Sequence, residues 1–383
     1  MLFLVLMFSV AAIARGDRVG SEQVASDDYA SRMTAATSRR VPASTPAPYV
    51  VIKRAMIFNY HAHPAQEIGA GVRLVTGAEY ADPRSIQNYA YASQDVAFAH
   101  FGGVTYAPSL QWLRENHPDW VEYKCNRSTP AWQFKHINEI PLDFANPAVQ
   151  QWTFTNWVVP AIRQGYDGVL FDNVWLYNLF GRCGHYDLDG HWVQQYTGKF
   201  TDLQYQADII SWARGMRALI HEYRPTFKFG INYSWYPSGS SAARQHTLLS
   251  LVDTDFDESG QTREGTGYPP ASLWLHIYLA DKQVLDEGGV LVFNGQVPDR
   301  GDAAWRVWVI ANYLLLANGR AYVSIEGVQQ YGELLDFPEY HLDVGAPIDS
   351  ARELPDGSWI RHFTRVTVSV DPQRSMASIV AVH

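Results

Sequence analysis

An aspartate ends a short apolar segment in the stretch GYDGVLFDNVWLYN, residues 165–178. Asp172 is followed by Asn173 and, two positions later, by Trp175. A second run of carboxylates ends the segment LVDTDFDES, residues 251–259. Two facing carboxyl groups can hydrolyse a glycosidic bond, because one protonates the leaving oxygen while the other attacks or activates water. The sequence therefore predicts Asp172 as nucleophile or base and a carboxylate of the second segment as general acid/base.

The second segment offers more than one carboxylate. Side chains alternate between the two faces of a strand, so Asp255 and Asp257 share one face while Glu258 shares the other with Thr254 and Phe256. The face with Phe256 is the better core face, which favours Glu258 as the partner of Asp172. Asp257 or Asp255 is the alternative if the strand end bulges, and Asp257 is also a candidate substrate-binding residue.

The predicted elements that carry these residues alternate between short apolar runs and longer segments with helical periodicity. Eight runs are predicted as strands: residues 54–61, 95–101, 120–126, 167–174, 228–235, 251–259, 289–296 and 321–327. Strands that alternate with helices pair in parallel, and eight such units predict an α/β fold, a (β/α)8 barrel, over residues 49–335. The alternative is an open doubly wound sheet, which needs a Gly-rich phosphate turn after the first strand that NYHAHPAQ lacks.

Active sites of such barrels lie at the carboxyl ends of the strands. Polar and aromatic side chains at these ends are therefore expected to bind substrate. They are Tyr60, His61, His100, Lys124, Asn173, Trp175, Asn232, Trp235, Asp257, Asn294 and Glu326.

Segments outside the barrel have other signatures. Residues 1–14 form an apolar run with a small-residue triplet that is typical of a secretory signal peptide. Residues 15–48 have a linker composition, and residues 336–383 alternate with period two, which predicts a small C-terminal β-rich appendage. We therefore expect a secreted protein or one of the periplasm or cell envelope. Two cysteines, Cys125 and Cys183, fit one disulfide or two free thiols.

Composition narrows the classes of partner. The net charge is −9, which disfavours nucleic acid, and aromatic residues make up 14% of the chain, which suits flat apolar faces of sugars. No segment is long and apolar enough for a predicted membrane span. We expect a monomer that acts on a carbohydrate without metal or cofactor.

Two other functions remain open at this stage. The pattern HAH at residues 61–63 is typical of metal-dependent amidohydrolase barrels, but the later strands lack the histidines that would complete a ligand set. The loop YDLDGHW carries Asp187 and Asp189 without the rest of a calcium loop, so a polar turn is the simpler interpretation. A barrel that binds carbohydrate without cleaving it is the other alternative.

The stretch GYDGVLFDNVW resembles the fourth strand of barrel glycosidases of the hypothetical glycosyl hydrolase family 15. It is also similar in pattern to endo-α-1,4-polygalactosaminidase-type barrels, and the likeness extends to WVEYKCN and to PEYHLDVGAPIDS. The resemblance covers roughly residues 50–370 and implies that an aspartate ends the fourth strand and an acid ends the sixth. These positions correspond to Asp172 and Glu258, and the implied activity is glycoside hydrolysis.

Overall fold

The structure is a computed structural model that describes residues 52–57, 64–77, 87–94, 99–100, 108–132, 139–233, 242–258, 260–328 and 330–382. The expected signal segment and linker lie outside these ranges. Eight parallel strands make up the central sheet. They are β1 (Arg54–Ile57), β2 (Val72–Thr76), β3 (Gln87–Ser93), β6 (Gly168–Asp172), β9 (Lys228–Asn232), β10 (Thr254–Asp257), β11 (Val290–Val297) and β12 (Ala321–Gly327).

Each strand pairs with two neighbours, and the pairing of β2 with β3 closes the sheet. The order around the ring is that of the sequence, from β1 through β12 and back to β1. Closure removes both sheet edges and leaves one end where all the strands reach their carboxyl termini. The predicted (β/α)8 barrel is therefore confirmed.

Helices cover the outer face of the barrel. They are α1 (Pro64–Gly69), α2 (Leu110–Asn116), α3 (Pro147–Thr153), α4 (Val159–Arg163), α5 (Leu203–Tyr223), α6 (Ala242–Leu249), α7 (Ala271–Asp286) and α8 (Ala303–Leu316). A π-helical turn, Phe154–Val158, joins α3 to α4, and short 3-10 helices span Pro118–Trp120, Gly260–Gly265 and Pro338–His341. Asn146 caps α3, because its side chain accepts a hydrogen bond from the Ala148 N–H, and Pro147 occupies the first turn.

Tyrosine rings fill the inside of the barrel. The Tyr89 hydroxyl lies 2.9 Å from the Thr254 hydroxyl, so its side chain spans the interior from β3 to β10. Gly168 on β6 leaves room for this ring, since a Cβ placed there would lie 2.6 Å from Tyr89 Cε1. The small residue in GYDGVLF therefore allows a large one on the neighbouring strand.

Two long connections, from β3 to β6 and from β6 to β9, build a small unit of their own. Its antiparallel sheet contains β5 (Tyr123–Lys124), β7 (Arg182–Tyr186) and β8 (Trp192–Gln194). A disulfide joins Cys125 in the first connection to Cys183 in the second. The sequence left the state of these cysteines open, and the structure links the two connections covalently.

The C-terminal segment forms an antiparallel sheet of four strands. They are β13 (Arg352–Glu353), β14 (Trp359–His362), β15 (Val366–Asp371) and β16 (Met376–Ala381). Val366, Val368 and Val370 of β15 belong to the same apolar cluster as Trp308 and Leu314 of α8, so this sheet lies against an outer helix. Within the described ranges, no helix has both the length and the apolar character that crossing a bilayer requires.

The second and third barrel strands differ from the prediction. They are β2 and β3, whereas the run predicted at 120–126 contributes β5 to the outer sheet, and within 95–101 the structure describes only β4 (Ala99–His100), which pairs antiparallel to β3. Apolar alternation predicts a strand but does not say which sheet it joins. The two true strands were overlooked because VRLVT and QNYAYAS contain charged, amide and small residues.

We expect Gly168→Ala to lower the free energy of unfolding by about 1–3 kcal/mol, the usual cost of overpacking a filled core. The added methyl group would lie 2.6 Å from the Tyr89 ring and 2.8 Å from the Lys228 Cβ. Urea denaturation measures the change. Gly69→Ala is the matched control, since a Cβ at Gly69 meets no atom within 4 Å. Equal stability of the two variants would contradict this account of the interior.

Candidate active site

Asp172 and Glu258 both reach the carboxyl end of the barrel. Asp172 is the last residue of β6, and its side chain points inward like that of Leu170, which belongs to the interior cluster. Glu258 directly follows β10 and points to the same side as the interior residue Phe256. Both carboxylates are half-buried. The structure therefore places Glu258 on the inward face, as the alternation along the strand predicts.

One amide bridges the two carboxylates. Asn232 ends β9, the strand between β6 and β10, and it is buried. Its Nδ2 donates to Asp172 Oδ1 at 2.8 Å and to Glu258 Oε2 at 2.6 Å. Because one nitrogen joins them at 2.8 and 2.6 Å, these two oxygens are at most 5.4 Å apart. That limit is shorter than the roughly 6.5–9.5 Å separation of inverting glycosidases and is compatible with the about 5–5.5 Å of retaining ones.

Further donors hold Glu258. The Tyr331 hydroxyl donates to Glu258 Oε1 at 2.5 Å, and Gln296 Nε2 lies 3.4 Å from the same oxygen. Gln296 also donates to the Tyr331 hydroxyl at 2.9 Å, which orients that hydroxyl toward the carboxylate. Neither residue was among the predicted site residues. Gln296 is two positions beyond Asn294 on the inward face of β11, so strand alternation could have indicated it, whereas Tyr331 lies in a loop with no such signal.

Asn173 supports the other carboxylate through the backbone. Its φ is 62°, in the left-handed region that asparagine tolerates better than most residues. The backbone N–H of Asn173 and the Tyr91 hydroxyl both act to lower the pKa of Asp172, because each favours the ionised carboxylate. The chain therefore turns sharply directly after Asp172, and the turn supplies one of its donors.

The protonation of Asp172 depends on its neighbour. Burial, followed by the negative charge of Glu258, raises the pKa of Asp172 to about 7, against the hydrogen bonds from Tyr91, Asn173 and Asn232. Burial and a nearby like charge both disfavour the charged form of an acid. Near neutral pH the pair therefore holds one proton for much of the time.

Two other predicted residues line the interior beside this pair. Asn294 is fully buried, and neither atom of its amide has a hydrogen-bond partner among the described residues. Glu326 accepts a hydrogen bond from the Ser324 hydroxyl at 2.7 Å, and burial raises its pKa to about 8. Their substrate-binding role stays a prediction.

Asp257 is a wrong prediction. It is fully buried and, with Asp255, lies on the outward face of β10, since Phe256 between them points inward. Burial, followed by the negative charges of Asp257 and Asp255, raises the pKa of Asp281 on α7. The period-two argument that selected Glu258 also removes Asp257 and Asp255 from the mouth of the barrel.

The sequence predicts Lys124 at the end of a barrel strand, but the structure places it on β5 of the outer sheet, where it is exposed.

Trp175 is largely buried, and its indole stacks on Tyr177 with ring centres 5.4 Å apart, so a protein ring covers one of its faces. Tyr60, His61 and Trp235 lie outside the described residues, as does the side chain of His100.

We expect the stability of the protein to fall as pH rises from about 4 to 7, with Asp172 contributing at most about 1.4 kcal/mol per pH unit. An unfolded aspartate titrates near pH 3.9, so between that value and about 7 the folded state binds the extra proton. Asp172→Asn should flatten this part of the curve, as measured by urea denaturation at several pH values. Asp189→Asn, at an exposed turn, should leave the slope unchanged. A wild-type slope in Asp172→Asn would contradict the raised pKa.

Comparison with known proteins gives structural similarity of low degree. No protein-family model matches the chain, and no curated protein matches its sequence. Among solved structures, a noncanonic maltogenic α-amylase AmyB from Thermotoga neapolitana aligns with 87% of this chain and 94% of its own, with 9% identity and a TM-score of 0.45.

Two further structures are similar to the same degree. A GH31 dextranase from Flavobacterium johnsoniae aligns over 88% of this chain with 10% identity and a TM-score of 0.47, and the alignment spans 52% of the dextranase. Ttha1563 from Thermus thermophilus aligns over 87% of this chain and 84% of its own, with 12% identity and a TM-score of 0.45. At these values the similarity says nothing about the reaction, which has to be inferred from the residues of the site.

Proposed function

We propose that this protein is a glycoside hydrolase that cleaves an oligo- or polysaccharide with retention of configuration. The observation that carries the proposal is the Asn232 amide, which donates to Asp172 and Glu258 at once and keeps their carboxylate oxygens close. A carboxyl pair at this spacing has no room for a water molecule between base and sugar, so the second carboxylate attacks the sugar itself. A non-catalytic barrel has no need to hold two like charges together.

The raised pKa of Asp172 supports a division of roles between the two carboxyl groups. Asp172 carries the raised pKa, which suits a general acid that must be protonated near neutral pH. Glu258 accepts from Tyr331 and Asn232, which suits an ionised nucleophile. This division reverses the one expected from the sequence, in which Asp172 was the nucleophile or base and Glu258 the general acid/base.

The reaction then runs in two steps. The Asp172 carboxyl protonates the glycosidic oxygen while a Glu258 oxygen attacks the anomeric carbon, and the aglycone leaves as an alcohol. The Asp172 carboxylate next takes a proton from water, whose oxygen displaces Glu258 from the sugar. The second step returns the proton to Asp172 and restores the starting state.

Other features support an extracellular carbohydrate substrate. The fourth strand resembles that of hypothetical glycosyl hydrolase family 15 and polygalactosaminidase-type barrels, which favours the same reaction type. The Cys125–Cys183 disulfide and the signal-like residues 1–14 favour export to an oxidising compartment. Asn294 and Glu326 are proposed to bind sugar hydroxyls.

We expect Asp172→Asn and Glu258→Gln each to lower kcat/KM on an oligosaccharide by at least about 10³, within the usual range for loss of a catalytic carboxyl. The substrate is first found by screening aryl glycosides of both anomeric configurations with the wild-type protein. On a 2,4-dinitrophenyl glycoside, whose leaving group needs no acid, Asp172→Asn should retain far more activity than Glu258→Gln. Initial rates on the two substrate types measure this difference.

The control is Asp189→Asn, which removes an exposed carboxylate from an outer loop and should keep wild-type rates. Azide added to Asp172→Gly should yield a glycosyl azide of retained configuration, which proton NMR identifies. The opposite pattern, with Glu258 variants rescued on the activated substrate, would restore the roles expected from the sequence. Wild-type rates in both variants would refute the pair as catalytic residues.

A further inference from the structure

Three metal-binding residue types meet in the unit built by the two long connections, outside the barrel sheet itself. Glu122 precedes β5, Asp143 lies shortly before α3, and His185 is on β7. One ligand atom of each residue lies within 4.8 Å of those of the other two. The residues come from both connections, on the same segments that the Cys125–Cys183 disulfide joins.

Glu122 is the member whose burial is unexplained. Its side chain is fully buried, and no side chain in the described part of the chain donates a hydrogen bond to either carboxylate oxygen. Burial, followed by the negative charge of Asp143, raises the pKa of Glu122 well above its usual range, against the nearby positive charge of Arg182. A carboxylate in such a place is costly unless a cation or a proton neutralises it.

Asp143 is held in place by hydrogen bonds, and His185 lies beside it. Asp143 Oδ1 accepts from the Ala145 N–H at 3.0 Å, and its Oδ2 accepts from Gln195 Nε2 at 2.8 Å. His185 Nδ1 lies 3.3 Å from Asp143 Oδ2. Metal sites commonly hold their ligands by such outer hydrogen bonds, which fix the direction of each lone pair.

We propose that Glu122, Asp143 and His185 form a binding site for a divalent transition-metal ion that fastens the two connections together. Two carboxylates and one imidazole suit Zn²⁺ or Mn²⁺, whereas Ca²⁺ and Mg²⁺ prefer ligand sets made of oxygen alone. Arg182 donates to the Leu142 carbonyl at 2.8 Å, and its positive charge lies near Glu122. Arg182 therefore balances part of the negative charge of Glu122, and a bound metal ion would balance the rest.

This site is distinct in role from the barrel mouth, and the inference does not depend on the proposed hydrolase activity. It also goes against the sequence, which predicted no metal, because Glu122, Asp143 and His185 are spread over more than sixty positions and have no motif spacing. Only the folding of the two connections onto each other brings them together.

The test uses the full chain after treatment with EDTA and removal of the chelator. Titration with ZnCl₂ in a calorimeter should give one ion bound per chain, and the melting temperature should rise by about 3 °C at roughly 100 times the Kd. Binding should also release protons, because the imidazole and both carboxylates must be deprotonated to coordinate the ion. Calorimetry in two buffers of different ionisation enthalpy measures that release. MnCl₂ should bind as well, and CaCl₂ more weakly.

Glu122→Gln and His185→Gln should each weaken Zn²⁺ binding by at least about 10-fold, since each removes one ligand. The matched control is Asp187→Asn, because Asp187, Asp189 and His191 form the other candidate group within the described residues, on an exposed turn. That variant should keep the Zn²⁺ affinity of the wild type.

Circular dichroism checks that each variant is folded. If a ligand variant is unfolded, the titration of the wild type alone tests whether the chain binds the ion. Absence of Zn²⁺ and Mn²⁺ binding to the wild type would overturn the proposal and leave a proton as the partner of Glu122. Loss of binding in Asp187→Asn alone would place the ion on the exposed turn and equally overturn it.

Discussion

Two acids that repel each other are held at one end of the barrel by a single amide. Asn232 can do this because its strand, β9, lies between those of Asp172 and Glu258, and because an amide nitrogen carries two hydrogens, one for each carboxylate. The spacing of the pair follows from this arrangement, and the charge of Glu258 held nearby adds to the burial that raises the pKa of Asp172. The closed barrel surrounds these three neighbouring strand ends with a wall. The parallel strands of an open sheet would offer the same neighbours but no enclosing wall.

Strand β10 uses its acids in two different ways. Glu258 turns toward the barrel mouth, where Tyr331 and Asn232 meet it with hydrogen-bond donors. Asp255 points outward beneath α7, where burial, followed by the negative charge of Asp257, raises its pKa well above the usual range. Whether an acid of β10 reaches the barrel mouth or is buried beneath a helix therefore depends on the face of the strand. The alternation of side chains along β10 determines the position of Glu258 as well as that of Asp255, although the surroundings of the two acids differ.

The sequence predicted the parts of the site that regular structure controls. Asp172, Asn232 and Glu258 end three strands with clear apolar alternation, so their meeting at one end of a barrel could be expected. Tyr331 could not be predicted, because it lies in a loop after β12, where no strand alternation indicates which side chains face the site. The sequence does not predict strand β3, because QNYAYAS alternates tyrosines with small and amide residues. That composition fits the inside of the barrel but resembles a loop. Lys124 was misplaced because a strand of the right alternation can belong to a neighbouring sheet.

The buried acids also change what the composition says about charge. The value of −9 counts every carboxyl group as ionised. In the folded chain, burial raises the pKa of Asp172 to about 7 and that of Glu326 to about 8, and it raises the pKa of Asp255 and Asp281 well above the usual range. The native protein therefore carries less negative charge than its unfolded chain at the same pH. Its isoelectric point should lie above the value of 5.8 that the composition gives. Folding therefore reduces the electrostatic repulsion between this acidic protein and a negatively charged surface or polymer.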